Sequence, residues 1–175
     1  MITYYTNHFN RQEFIRILAV ILFLSAHNIG MYAQQPPPRP ITVYANPAQG
    51  LIFGAFYQGN SGGTVTIFPD GSRSVTGDVI QANLGYLFSP AIYEVTANLG
   101  TIITIMNGPD INLTGTNGGF MKLHVGTSNP VSPFISKAAS GPTEIRIGGT
   151  LTVGSPLANP SGSYSGNFSI TFMQQ

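Results

Sequence analysis

Beyond Pro40 the apolar residues fall on every second position, and that period decides the fold class. Alternate side chains of a pleated strand point to opposite faces, whereas a helix repeats its apolar face about every 3.6 residues. Ile145, Ile147, Leu151 and Val153 share one parity, opposite Glu144, Arg146, Thr150 and Thr152. Met121, Leu123 and Val125 alternate with Lys122 and His124, and Tyr93, Val95 and Ala97 with Glu94 and Thr96. The last segment alternates most cleanly, with Tyr164, Phe168, Ile170 and Phe172 on one side and Ser163, Ser165, Asn167, Ser169 and Thr171 on the other. Further strands are predicted over Ile41–Ala45, Leu51–Tyr57, Thr64–Phe68, Val75–Gln81 and Thr101–Met106.

Turns are expected where Gly, Asn, Asp and Pro cluster: 59–63, 69–71, 98–100, 107–110, 117–119 and 159–162. Gly148-Gly149 is expected to kink or bulge its strand. Short strands that are apolar on one face must hide it against a second sheet or by closing into a barrel. The expected fold is therefore all-β, a two-sheet immunoglobulin-like antiparallel sandwich over residues 41–175, with a small closed barrel as the alternative.

Ahead of this domain, Ile17–Ala26 is an uncharged apolar run preceded by Arg11 and Arg16, the layout of a signal-peptide core. A membrane-spanning helix needs about 20 apolar residues, and this run breaks at His27-Asn28. Residues 1–33 are expected to be a helical signal peptide cut after Ala33, sending the protein to the periplasm, the outer surface or the medium. No stable membrane span is expected after that cut. Residues 34–40 hold Pro36-Pro37-Pro38-Arg39-Pro40, where proline rings fix φ and remove amide donors, so they are expected to form an extended spacer.

Charged residues make up 7% of the chain, and with Arg11, Glu13 and Arg16 assigned to the leader the rest is neutral. Arg73, Lys122, Lys137 and Arg146 are scattered and form no basic stripe for phosphates, so nucleic acid is not an expected partner. Cysteine is absent, which excludes disulfides, thiolate metal sites and a cysteine nucleophile.

Catalytic and metal chemistry find little to use. His124 is the one histidine after the leader, on the polar side of its strand, and a catalytic base or zinc site needs partners that the sequence does not place beside it. Asp70 and Asp78 flank Arg73, a carboxylate pair of the kind that glycoside hydrolysis or calcium would use, but Asp70-Gly71 reads as a hairpin turn, Asp110 after Gly108-Pro109 likewise as a turn former, and no acidic repeat has calcium-loop spacing. No catalytic residue, metal site or cofactor is expected. Tyr44, Tyr57, Tyr86 and Tyr164 raise one binding alternative, a sugar-stacking platform on a monomeric carbohydrate-binding sandwich.

Several strings resemble an uncharacterised family of exported bacterial proteins, that of domain of unknown function 4402. They are Leu51–Phe56, Gly63–Ile67 with Asp70–Arg73, Ala91–Val95, Ile147–Val153 and Gly162–Phe172. That family is distantly similar to spore-coat-U-like proteins and to archaic chaperone–usher pilins. In such pilins a glycine stands fourteenth from the C-terminus, an aromatic lies near the end, and the alternating final strand is held by an assembly chaperone. Gly162 occupies that place here, whereas Gln174 stands where those pilins often carry Tyr and Phe172 is the nearest aromatic.

The resemblance implies a surface structural or adhesive subunit, fimbria-like, that works by strand addition: a neighbour's extended segment completes an open sheet through main-chain hydrogen bonds. Its partners would be a chaperone or usher, or neighbouring subunits. Gly162, Tyr164, Phe168, Ile170 and Phe172 would form the C-terminal assembly strand. Ile41, Val43 and Ala45, after the proline spacer, suit a donor strand; the plainer reading makes them the first strand of their own sandwich.

Overall fold

The computed structural model describes residues 11, 12, 15, 16, 18, 40–45, 49–137 and 141–175. The chain divides into two compact units, Met1–Pro38 and Arg39–Gln175. In the first, Arg11, Gln12, Ile15, Arg16 and Leu18 are helical, and the expected cleavage site and most of the proline spacer lie outside the described residues. Among the described residues no helix is long and apolar enough to cross a membrane.

The second unit is all-β, as the alternation predicts. Its described strands are β1 (Thr42–Ala45), β2 (Phe56–Ile67), β3 (Arg73–Gln81), β4 (Ala91–Thr96), β5 (Ile102–Asn107), β6 (Ile111–Gly115), β7 (Phe120–Asn129), β8 (Phe134–Ile135), β9 (Thr143–Val153), β10 (Tyr164–Ser165) and β11 (Ile170–Gln174). They form two antiparallel sheets packed as a sandwich, one of eight strands running β1-β4-β9-β7-β6-β10 with β2 and β3 branching from β9, and one of three running β11-β5-β8. The long β9 is the spine. Its first half pairs with β4 and its second half with β2, while β7 takes the opposite edge.

Side-chain parity holds wherever it was read. Met121, Leu123 and Val125 are buried while Lys122 and His124 are exposed, and Ile145, Ile147, Leu151 and Val153 are all buried. Val95, Ile145 and Ile147 of the large sheet meet Ile103 and Phe134 of the small one, with Ile170 and Phe172 against the same cluster. A second cluster lies under β2, β3, β6, β7 and the end of β9, where Val65, Ile67, Leu123 and Leu151 pack with Phe53. Each such fully buried aliphatic side chain contributes about 1.5–3 kcal/mol.

Four local expectations are corrected. Residues 59–63 are not a turn. They lie inside β2, which runs continuously from Phe56 to Ile67 and bulges between Gln58 and Gly63. A Cβ on Gly63 would stand 2.0 Å from the carbonyl oxygen of Thr76, so glycine serves a close backbone crossing there. Leu51–Tyr57 accordingly forms one bridge, Ile52 to Ser89, before β2 begins. The bulge expected at Gly148-Gly149 falls instead on the partner strand β7, between Val125 and Ser128. The final alternating segment breaks into β10 and β11, which belong to different sheets. The short strands β6 and β8 were not anticipated.

Candidate functional site

Two strands end their sheets on the same flank of the sandwich. Among the described residues, β11 pairs with β5 alone and β1 with β4 alone. Tyr93 of β4 and Phe172 of β11 face each other across the sandwich with ring centroids 5.5 Å apart. The small sheet therefore stops opposite β4, and β1 reaches one strand further.

The direction of the free backbone groups follows from the ladder. In an antiparallel pair, residues alternate between those bonded to the partner strand and those whose N–H and C=O face the other way. Gly108 N–H donates to Ser169 O (2.8 Å) and Gln175 N–H to Ile102 O (3.0 Å), so the odd residues of β11 bond to β5. Ile170, Phe172 and Gln174 turn their main-chain groups to the open edge. On β4, Ile92 N–H donates toward the β1 side, to Gln49 O (3.1 Å). Glu94 and Thr96 then bond Tyr44 and Thr42, and Val43 and Ala45 present their backbone to the outside.

The side chains agree. Val43 lies opposite Val95 and Ala45 opposite Tyr93, on the inward face. Val95 is fully buried, yet Val43 is 39% exposed because no strand of the small sheet lies beneath it. All four residues of β1 are exposed. At one end of this uncovered strip is a partly open cavity of about 270 Å³, lined by Ala45, Gln49, Leu51, Ile92, Tyr93 and Phe168 among others. Sheet edges are usually blunted by charge or proline. Neither β1 (TVYA) nor β11 (ITFMQ) carries a charge.

Of the other C-terminal candidates, Tyr164 is half-buried and its hydroxyl donates to Pro160 O (2.7 Å), while Gly162 is exposed beside Thr116. Phe168 packs against both core clusters. The predicted assembly strand is thus divided: Phe168, Ile170 and Phe172 adjoin the open flank, and Tyr164 belongs to the far end of the large sheet at β10.

Among the described residues the ion pairs lie on the surface, Asp110 with Lys122 and His124, and Glu144 with Arg146. Asp110 receives Lys122 Nζ at 2.8 Å on one carboxylate oxygen and His124 Nδ1 at 2.7 Å on the other. The Lys122 hydrogen bond, then that of His124, holds the Asp110 carboxyl below its ordinary value. Asp70 caps the β2–β3 turn, accepting from Ser72 N–H (2.8 Å) and Ser72 Oγ (2.6 Å), the hydroxyl bond chiefly lowering its carboxyl. Among the described residues no three His, Cys, Asp or Glu side chains gather as metal ligands would.

Tyr44, Tyr57 and Tyr86 are 56%, 57% and 70% exposed, on β1, on β2 and in the β3–β4 loop. That loop also exposes Leu84 and Leu87, a surface that the period-two reading passed over because the segment forms no strand. The uncharged run Ala82–Pro90 was the available signal.

The family of domain of unknown function DUF4402 matches the chain over residues 41–173, nearly the whole second unit. No curated protein and no solved structure matches it.

Proposed function

We propose that this chain, which belongs to the DUF4402 family, is a non-enzymatic, exported structural or adhesive subunit of the bacterial cell surface. It engages neighbouring subunits, or an assembly chaperone, by pairing strands along its open flank. One observation carries the reading: β1 and β11 end both sheets on the same side, uncharged and with outer backbone edges that no other described strand pairs, and Val43 is partly exposed between them. Strand addition there would supply main-chain hydrogen bonds and bury an apolar strip at once. The apolar leader and the likeness of the final segment to chaperone–usher pilins support export and assembly.

The donor is Ile41–Ala45, with Ile41, Val43 and Ala45 on its apolar face, and the C-terminal assembly strand is the part holding Ile170 and Phe172, the other open edge of the same flank. Size-exclusion chromatography of protein expressed from the full sequence, with and without Ile41–Ala45, tests this. Assembly that disappears with the deletion supports the proposal, and assembly that survives it removes the segment as donor. The second reading, a monomeric carbohydrate-binding sandwich, draws on the exposed Tyr44, Tyr57 and Tyr86. A protein that stays monomeric at every concentration and binds glycans would replace the first reading with the second.

A further inference from the structure

We infer that Ile41–Ala45 is exchanged between copies of the chain, docking on β4 of a second copy in the same register that it has within one. The inference rests on the assembly reading above and names its partner and its seat. Exchange of an identical element costs little when the element gives its own domain nothing that a second copy does not also give. β1 meets that condition. Among the described strands it pairs with β4 alone, through Thr42 to Thr96, Val43 to Val95, Tyr44 to Glu94 and Ala45 to Tyr93, and a second copy's β1 would make the same four pairings.

The apolar burial lost during the exchange is small, since every side chain of β1 is exposed and only Ile41 before it packs, half-buried, on a core cluster. The exchanged unit has natural limits. Pro40 has no amide to extend the pairing upstream, and Pro47 stands two residues downstream of Ala45. Beyond the link, the chain is tied to its own domain again: Gln49 O accepts from Ile92 N–H (3.1 Å) and Gly50 O from Ser89 Oγ (3.2 Å). The link of residues 46–48 thus joins a separable strand to an anchored body. Between the Cα atoms of Ala45 and Gln49 it spans at most roughly 14 Å, so the receiving copy must bring its β4 edge within that reach, flank to flank.

The chain has no cysteine, so two introduced ones report on each other alone. Tyr44 and Glu94 are exposed and directly opposite, at a spacing that a disulfide accepts. Tyr44→Cys and Glu94→Cys variants, each expressed from the full sequence with tags of different size, would be co-produced, oxidised and separated without reductant. The expected result is a disulfide joining the two differently tagged chains as the main covalent product, and covalent oligomers from the Tyr44→Cys/Glu94→Cys double variant. Assembled protein whose double variant closes only within a chain would overturn the exchange and leave strand-mediated assembly standing. A double variant that is monomeric by size exclusion and closed within the chain would overturn both.

Discussion

The guanidinium carbon of Arg73 lies 4.4 Å from the centre of the Phe88 ring, which stacks the first residue of β3 on the loop that follows that strand. From this seat Arg73 Nη1 donates to the carbonyl oxygens of Phe53 (3.0 Å) and Ala55 (3.2 Å), and Nη2 to Gln81 Oε1 (3.3 Å). Gln81 ends the strand that Arg73 begins. A straight strand would hold their Cα atoms about 26 Å apart. The hairpin must therefore curl, and it does so at the bulge where Gly62, Gly63 and Gly77 let the backbones of β2 and β3 approach. Arg73 clamps that curl to the segment leading into β2.

Replacing the clamp should loosen the hairpin without touching the sandwich core. Arg73→Ala loses the stacking and the charged hydrogen bonds, and about 2–4 kcal/mol of stability is expected to go with them. Arg73→Lys keeps the charge but not the planar fork, and a loss of about 1–2 kcal/mol is expected. Urea unfolding midpoints measure both, and a lysine variant as stable as the parent would show that the fork is dispensable.

Gly148 separates steric demand from mere flexibility. A Cβ there would stand 2.3 Å from the carbonyl oxygen of Ile67, a backbone atom that cannot swing aside. Gly148→Ala is expected to cost about 1–3 kcal/mol. Gly50→Ala, whose Cβ meets nothing within 4 Å, should leave the unfolding midpoint nearly unchanged. Equal effects at the two sites would contradict the packing argument.

Alternation made the strands legible because a half-buried strand leaves its period in the side chains themselves. Ile145 to Val153, Met121 to Val125 and the final even-numbered aromatics all face as their parity demands. Glycine was less informative. The cluster at 59–63 has turn composition, yet its residues serve a bulge within one long strand, and composition does not distinguish positive φ in a turn from close approach in a ladder. β6 held a readable Ile111-x-Leu113 alternation, but only five residues of it, and β8 has only two, too few for any period. The open flank was half legible. Ile41, Val43 and Ala45 could be singled out along the chain, whereas the uncovered state of Val43 depends on where the opposite sheet stops, which is a property of strand order.

Asp110 gives a pH signature on the outer face. Its carboxyl is held below 3.8 by the Lys122 hydrogen bond first and the His124 one second. A carboxylate with a depressed folded pKa stabilises the fold above its unfolded value, and that contribution fades as pH falls through the folded one. An NMR titration of Asp110 should have its midpoint below 3.8, and Lys122→Ala should raise that midpoint more than His124→Ala does. A midpoint unmoved by either change would mean that the contacts of Asp110 with Lys122 and His124 do not persist in solution.

Asn159 carries the strongest polar prediction, because it is 2% exposed and bonded in three directions. Its Oδ1 accepts from Gly154 N–H, its Nδ2 donates to Phe120 O (2.6 Å), and its own carbonyl accepts from Gln58 Nε2 (2.5 Å). The side chain thus ties the turn after β9 to the start of β7. Asn159→Ala leaves the part-buried Gly154 N–H and Phe120 carbonyl without this partner, and a loss of about 1–3 kcal/mol is expected. Asn159→Asp keeps the acceptor for Gly154 but at neutral pH sets a charged oxygen against the Phe120 carbonyl, so it should cost more than the alanine variant. Burial and that carbonyl both raise the new carboxyl's pKa in the folded state, so the fold binds protons better than the unfolded chain does. The Asn159→Asp variant should therefore regain stability relative to the parent as pH falls toward about 4, when a protonated acid can again donate to Phe120 O. Urea denaturation of the three proteins at pH 7 and pH 4 checks the order, and an aspartate variant whose deficit is the same at both would show that Nδ2 makes no bond of consequence.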